Sequence, residues 1–234
     1  MNREEVIKII STAREKWEVP NLSGAILTGA ILTGDDLRGV NLSMANLVNA
    51  ELAWTNLKRA DLIGADLRGA DLYMANLSWA DLSNANMNEA DLSGADLRET
   101  DLRGAKLRNA DLRKADLIGA ILRGADISNA NLRGADLRNA DLRGAKLRGA
   151  KLSEADLRWA IAPQIVAFKA GLHDAIFAGG YGSIGCERHT YAEWLENGEE
   201  IGRSNGYSDV EISTYMAMIR AAVEYLEAYT MENE

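Results

Sequence analysis

Residues 80–109 read ADLSN ANMNE ADLSG ADLRE TDLRG AKLRN, and the same five-residue phrase continues in both directions without losing step. From Leu22 to Leu157 every fifth position is leucine, apart from Met87 and Ile127, so a spacing of five between positions 22 and 157 gives 28 consecutive centres. Two residues before each centre stands alanine, with Pro20, Asp35, Val40, Thr55 and Thr100 as the exceptions. The consensus is A-[DN]-L-[RS]-[GN].

A period of five discriminates between folds. On an α-helix five residues advance about 140° past a full turn, so the leucines would spread around the cylinder and form no stripe. On a straight strand an odd spacing sends successive leucines to opposite faces. A short extended stretch closed by a corner fits: Ala and Leu, two apart, point the same way, while the residue between them and the two that follow point outward. Gly or Asn, frequent in the last place, tolerates the positive φ of a corner. Such a chain coils inward on leucine and stacks on itself.

The run resembles the pentapeptide-repeat family over roughly residues 20 to 160. The resemblance implies a mainly β fold, a right-handed quadrilateral β-helix with four units per coil. Twenty-eight units then make about seven coils, and a rod roughly 34 Å long at about 4.8 Å per layer. Small Ala side chains would let the walls approach across a narrow lumen that Leu fills.

The chain has 234 residues, room for one large or two modest domains. Its apolar content is 47%, yet aromatics are only 6% with 2 Phe, so the core draws on Ala and Leu. With 26 basic and 35 acidic residues the net charge is −9. That argues against a bulk phosphate-binding surface, although a local basic patch survives such a balance. One cysteine permits no internal disulfide. The N-terminal sequence lacks an apolar run of signal-peptide length, and no stretch reaches the roughly 20 apolar residues of a membrane span. The expectation is a cytoplasmic protein with no membrane contact.

A solenoid exposes an unpaired edge at each end, so caps are expected. Residues 1–19 read as an N-terminal capping helix: Val6, Ile7, Ile9, Ile10, Ala13 and Trp17 share an apolar face over residues 3–17, and Pro20 lies beyond. Residues 20–160 form the repeat domain, and 161–234 a mostly helical C-terminal module. Within that module 164–175 is read as a helix and 175–186 as a Gly-rich extended or hairpin segment. Thr190 with Glu193 and Ser208 with Glu211 match the capping box that opens a helix. The last helix carries Val210, Ile212, Tyr215, Met216, Ile219, Val223 and Leu226. That face can pack within its own module, on the last coil or on a second copy; the expectation is a homodimer through it.

Chemistry-bearing motifs are few. Gly180-Tyr181-Gly182-Ser183-Ile184-Gly185 is formally G-x-G-x-x-G, but the next helix begins only near Thr190 and no βαβ unit surrounds it, so a Gly-rich turn is expected. His173, Cys186 and His189 are too few and too far apart for a metal or nucleophile site. The expectation is a protein with no catalytic, cofactor-binding or metal-binding residues, and no enzyme.

Two functional readings remain. In the resembled family, the quinolone-resistance branch consists of acidic rods that imitate B-DNA and bind DNA gyrase or another type II topoisomerase. Here residues 20–159 hold 18 basic against 19 acidic groups, whereas 34 Å of B-DNA carries on the order of 20 negative charges. Divided among four walls the nets are −1, +2, −1 and −1, so no face is acidic. Nucleic acid is likewise not expected as a partner. The favoured reading is a rigid scaffold that binds a protein of unknown identity through outward apolar residues: Val48, Trp54, Ile63, Tyr73, Met74 and Trp79. Charge is also uneven along the rod. Residues 90–159 are net +3 and the C-terminal residues 160–234 net −8, so Glu196, Glu199 and Glu200 are expected to dock the module near Arg143, Lys146, Arg148 and Lys151.

Overall fold

A computed structural model describes residues 1–162, 165–170, 173–178, 181–184 and 187–233. Between Asn21 and Ile161 the chain is a β-helix. Parallel bridges join each residue i to i+20 at every fifth position, from Asn21↔Asn41 to Asp141↔Ile161. One coil therefore takes twenty residues and four repeat units.

The unit around Leu42 shows why the consensus folds this way. Its five backbone N–H groups are all used. Asn41 donates back to the Pro20 carbonyl (2.9 Å), Leu42 onward to that of Asp61 (2.7 Å) and Met44 to that of Ile63 (2.9 Å), which fastens the unit to both neighbouring coils. Ala45 closes the corner by donating to the Leu42 carbonyl at 3.0 Å. The remaining donor, Ser43 N–H, is taken by the Asn41 side-chain Oδ1 at 3.0 Å. Asp or Asn before the leucine is thus the acceptor that completes the backbone pairing of its own unit. Where Lys106 replaces it, Asn88 of the preceding coil supplies the oxygen to Arg108 N–H at 2.9 Å.

Each corner needs a residue at positive φ. Every fifth residue from Gly24 to Trp159 meets that need, with φ between 54° and 73°. Inside, the leucines from Leu22 to Leu152 and the intervening alanines form one continuous buried core. Thr55 and Thr100, which break the Ala pattern, are buried as well; their hydroxyls donate to the carbonyls of Leu32 (2.8 Å) and Leu77 (3.0 Å).

The N-terminal end is closed by α1 (Arg3–Glu15), which starts at a reciprocal Asn2/Glu5 cap. Val6 and Ile10 join the rod's core beside Leu22. The Asp35 exception has its cause here: its carboxylate, turned toward the cap, is buried and held by the Arg3 guanidinium, with Arg3 Nε at 2.8 Å. Trp17, expected on the apolar face of the helix, lies past its end at φ 59° and is 97% exposed.

The other end is closed differently from the sequence expectation. Among the described residues of 164–175 the chain is strand, not the expected helix. β1 (Ile165–Ala170), β2 (His173–Ala178), β3 (Tyr181–Ile184) and β4 (Glu187–Thr190) make an antiparallel meander, in register Ile165↔Ala178, Ala175↔Ile184 and Tyr181↔Thr190. The module therefore carries a four-stranded sheet beside its two helices, which at 14 and 25 residues are still its longest elements. In β2, Ile176 and Ala178 join the core of the rod, whereas Ala175 and Phe177 join a second core with α2 (Tyr191–Ser204) and α3 (Asp209–Asn233). A strand buried on both faces reads as an unbroken apolar run, and periodicity cannot separate that from a helix.

Among the described residues none of Glu196, Glu199 and Glu200 forms an ion pair with Arg143, Lys146, Arg148 or Lys151. Arg188 Nη2 donates to the Gly149 and Ala150 carbonyls at 2.7 and 3.1 Å, while Glu199 pairs with Arg203 of its own helix. Apolar packing through Ile176 and Ala178, plus a cation on the last backbone carbonyls, joins the two parts.

Two stability outcomes follow from the cores. Leu102→Ala should destabilise the rod by about 2–5 kcal/mol, and Leu102→Asp should abolish the cooperative thermal transition in circular dichroism. At the N-terminal cap, Arg3→Ala strands a buried carboxylate and should lower the melting temperature more than Asp35→Ala, which restores the consensus.

Candidate protein-binding surface

The six outward apolar residues do not form one patch. With twenty residues per coil, Trp54 and Met74 occupy the same corner of adjacent coils, and Tyr73 flanks Met74. Val48, Ile63 and Trp79 sit on three other corners of the coil. At the shared corner Trp54 and Tyr73 meet edge to face, ring centroids 5.6 Å apart, with 58% and 41% of their surfaces exposed. The Met74 thioether lies over Gly94, where an added Cβ would come within 2.6 Å of Sδ. Met44, absent from the sequence-derived set, covers Gly64 in the same way and accompanies Ile63 on its corner.

Trp54, Met74, Trp79 and Met44 share a feature that sequence reasoning missed. All four occupy the last place of a unit, at φ 61°, 54°, 64° and 59°. Left-handed backbone costs a non-glycine residue roughly 1–2 kcal/mol. Bulky apolar groups are thus held, exposed, at positions where Gly is the usual and less strained choice. The signal lay in the consensus itself: a large residue in the [GN] slot.

Much of the arginine on the remaining surface is paired within its own unit. In the recurring D-L-R phrase the guanidinium folds back onto the carboxylate two residues earlier. Arg68 meets Asp66 through Nε and Nη2 at 2.8 and 2.7 Å, and Arg98 meets Asp96 at the same distances. Arg138 and Arg143 repeat the fork with Asp136 and Asp141. Each fork holds the Asp66, Asp96, Asp136 and Asp141 carboxyls below the usual carboxylate range, because the hydrogen-bonded Arg favours the charged form.

The C-terminal candidates are placed inside the chain. Ile212, Tyr215, Met216, Ile219, Val223 and Leu226 are buried against Phe177, Ile184 and Trp194, and only Val210 of the set is exposed. Gly198 and Gly202 of α2 give α3 its close approach: a Cβ at either would come within 2.6 Å of Met216 or 2.8 Å of Ile212. The face expected to pair two copies is spent on α2 and the sheet.

The Gly-rich motif is likewise structural where it is described. Tyr181–Ile184 is a strand, and Gly182 is needed because a Cβ would meet the Phe177 ring at 2.2 Å; its carbonyl accepts Trp194 Nε1–H at 2.7 Å. Gly180, Gly185 and Cys186 lie outside the described residues. His189 packs edge to face on Trp194. Among the described residues no group of acidic, His or Cys side chains is placed to hold a metal, and no helix is long and apolar enough to cross a membrane.

The pentapeptide-repeat family model matches residues 21–52, 36–72, 45–84, 75–113, 85–124 and 125–161, the same stretch that builds the coils. The chain belongs to the pentapeptide-repeat family. No curated protein matches the sequence. Among solved structures, a pentapeptide repeat protein from the Arabidopsis thaliana thylakoid lumen is 33% identical, over 44% of this chain and 71% of that one, with a TM-score of 0.43. HetL, involved in heterocyst differentiation regulation in the cyanobacterium Nostoc, is 41% identical over 60% and 71%, TM-score 0.24. The plasmid-mediated fluoroquinolone resistance protein QnrB1 is 24% identical over 58% and 79%, TM-score 0.31.

Acid stability should report the Arg–Asp forks. Because the folded carboxyls titrate below their unfolded counterparts, their contribution is complete above about pH 4 and is lost as pH falls through the lower folded values. Thermal melts should be flat from pH 7 to about 5 and decline below about 4. The Arg98→Ser, Arg138→Ser double variant should unfold at a higher pH than the parent on acid titration.

Proposed function

We propose that this pentapeptide-repeat protein is a right-handed quadrilateral rod of seven coils that acts as a non-enzymatic scaffold, binding a partner protein through the corner of Trp54, Tyr73 and Met74. The twenty-residue bridge step and four corners per coil support the rod geometry. One observation carries the binding reading: two aromatic rings and a thioether are held exposed on a single corner, two of the three at left-handed backbone positions. Backbone strain retained at a surface position points to function, and exposed aromatics are the residues that anchor protein interfaces.

The DNA-mimic reading is weaker. A mimic needs an unneutralised line of negative charge, whereas 18 basic groups balance the 19 acidic ones over residues 20–159 and eight of those carboxylates pair with the arginine two residues on. The homodimer reading loses its premise, since the apolar face of α3 is buried within its own module.

The Trp54→Gly, Tyr73→Ser, Met74→Gly variant restores common repeat residues. It should keep or raise the melting temperature while losing proteins captured by the parent in cross-linking from native lysate; the same captured set from both would reject the surface. In a supercoiling assay the parent should inhibit DNA gyrase at most weakly. Sub-micromolar inhibition that fades with salt would instead restore the mimic.

A further inference from the structure

The N-terminal half of the rod is acidic: residues 20–89 contain eight Asp or Glu and only four basic residues, Arg38, Lys58, Arg59 and Arg68. Three of those four converge on one groove, lined by Arg14, Arg38, Gly39, Lys58 and Arg59. The coil spacing causes the convergence. Arg38 and Lys58 hold the same place in successive coils, as do Gly39 and Arg59, and the last turn of α1 brings Arg14 across.

The groove is partly preorganised. Arg14 Nη1 lies 3.2 Å from Asp36 Oδ2, and its Nη2 donates to the Asp36 and Arg38 carbonyls at 3.3 Å each. Arg38 forks onto the same Asp36 carboxylate at 2.8 and 2.7 Å. One carboxylate is thus shared by two guanidiniums, while Lys58 and Arg59 form no ion pair among the described residues. Glu15 lines the neighbouring groove beyond Arg14, and Asp96 lies within the field of Lys58. Arg59 also sits at φ 58°, in the corner place that Gly39 fills one coil earlier at 64°. A strained, unpaired cation stands where glycine would serve the fold better.

We infer that this groove binds a small, multiply charged phosphate compound of di- or triphosphate size. Arg14 and Arg38 are fixed through Asp36, Lys58 and Arg59 stand beside them unpaired among the described residues, and a free guanidinium such as that of Arg59 meets phosphate oxygens two at a time. The cations span two coils about 4.8 Å apart, a distance that two or three linked phosphates bridge. The site favours a small ligand over nucleic acid because the surrounding half-rod is net −4, so a long polyanion would leave the groove onto acidic surface.

Isothermal titration calorimetry on the full chain, at low salt, with tripolyphosphate, pyrophosphate, orthophosphate and a short DNA duplex tests this. Saturable binding is expected for tripolyphosphate, weaker binding for pyrophosphate, and none below millimolar for orthophosphate. Lys58→Ser, Arg59→Gly restores the common Ser-Gly ending and should leave the melting temperature unchanged or higher while weakening tripolyphosphate at least about tenfold, the loss of two charge-assisted contacts. Arg123→Ser, Arg148→Ser, removing two exposed arginines elsewhere on the rod, should leave binding as it was. Absence of saturable tripolyphosphate binding, or equal weakening in both variants, overturns the site. Duplex binding tighter than tripolyphosphate and lost in the Lys58, Arg59 variant would make the groove a nucleic-acid contact and overturn the small-ligand assignment.

Discussion

The fold depends on satisfying five backbone donors per unit in a chain that has no long strand and no helix along most of its length. In the unit around Leu42 stacking satisfies three, the corner a fourth, and the Asn41 side chain the fifth. That demand favours Asp or Asn before the central residue, found in 21 of the 28 units, with Ile26, Ile31, Glu51, Lys106, Ile121, Lys146 and Lys151 in the others. The leucine core then follows, because a corner every five residues leaves only two inward positions per unit, one wide and one narrow. Thr55 and Thr100 are tolerated in the narrow position because each hydroxyl finds a carbonyl within reach.

Much of this was legible in the sequence, and the reasons are local. The period of five excluded helix and strand without reference to any partner, and Gly or Asn in the last place announced the positive φ found at every corner. The Thr190/Glu193 and Ser208/Glu211 caps rest on neighbours three residues apart. Long-range effects were illegible. Asp35 looked like a lapse in the repeat until Arg3 met it from the cap. Over 164–175, which holds β1 and the start of β2, the sequence suggests a helix because periodicity does not separate a short buried strand from one. The end of β2, where Ile176 and Ala178 meet the rod and Ala175 and Phe177 the helical layer, falls in the segment read as extended. For the surface, the exposed aromatics were visible, and in a four-unit coil the spacing of 20 between Trp54 and Met74 already sets them on one face with Tyr73 beside them, as the bridge step has it. That Val48, Ile63 and Trp79 fall on three other corners follows from the same step.

Regularity gives the departures their meaning. Where Arg follows Asp by two residues, the fork of one unit copies the fork of the next, and a long stretch of surface offers a partner little to distinguish one coil from another. Recognition must then rest on units that break the pattern, and the same is true of the two ends. The helix over the first coil and the sheet over the last are chemically unlike, so neither end presents the open backbone edge onto which another rod could stack.

The twenty-residue coil also sets the step by which such a chain can change length in evolution. Gaining or losing a whole coil leaves every later residue on its former corner, so the C-terminal sheet keeps its orientation relative to any surface patch near the N-terminus. Gaining or losing a single five-residue unit preserves the core and the hydrogen bonding equally well, yet turns everything downstream by a quarter of a coil. The packing would scarcely register such an event, while two binding surfaces on either side of it would no longer face the same direction. Between relatives of this protein, differences in multiples of twenty are therefore compatible with a shared partner, and differences of five, ten or fifteen mark a change in what the rod holds together.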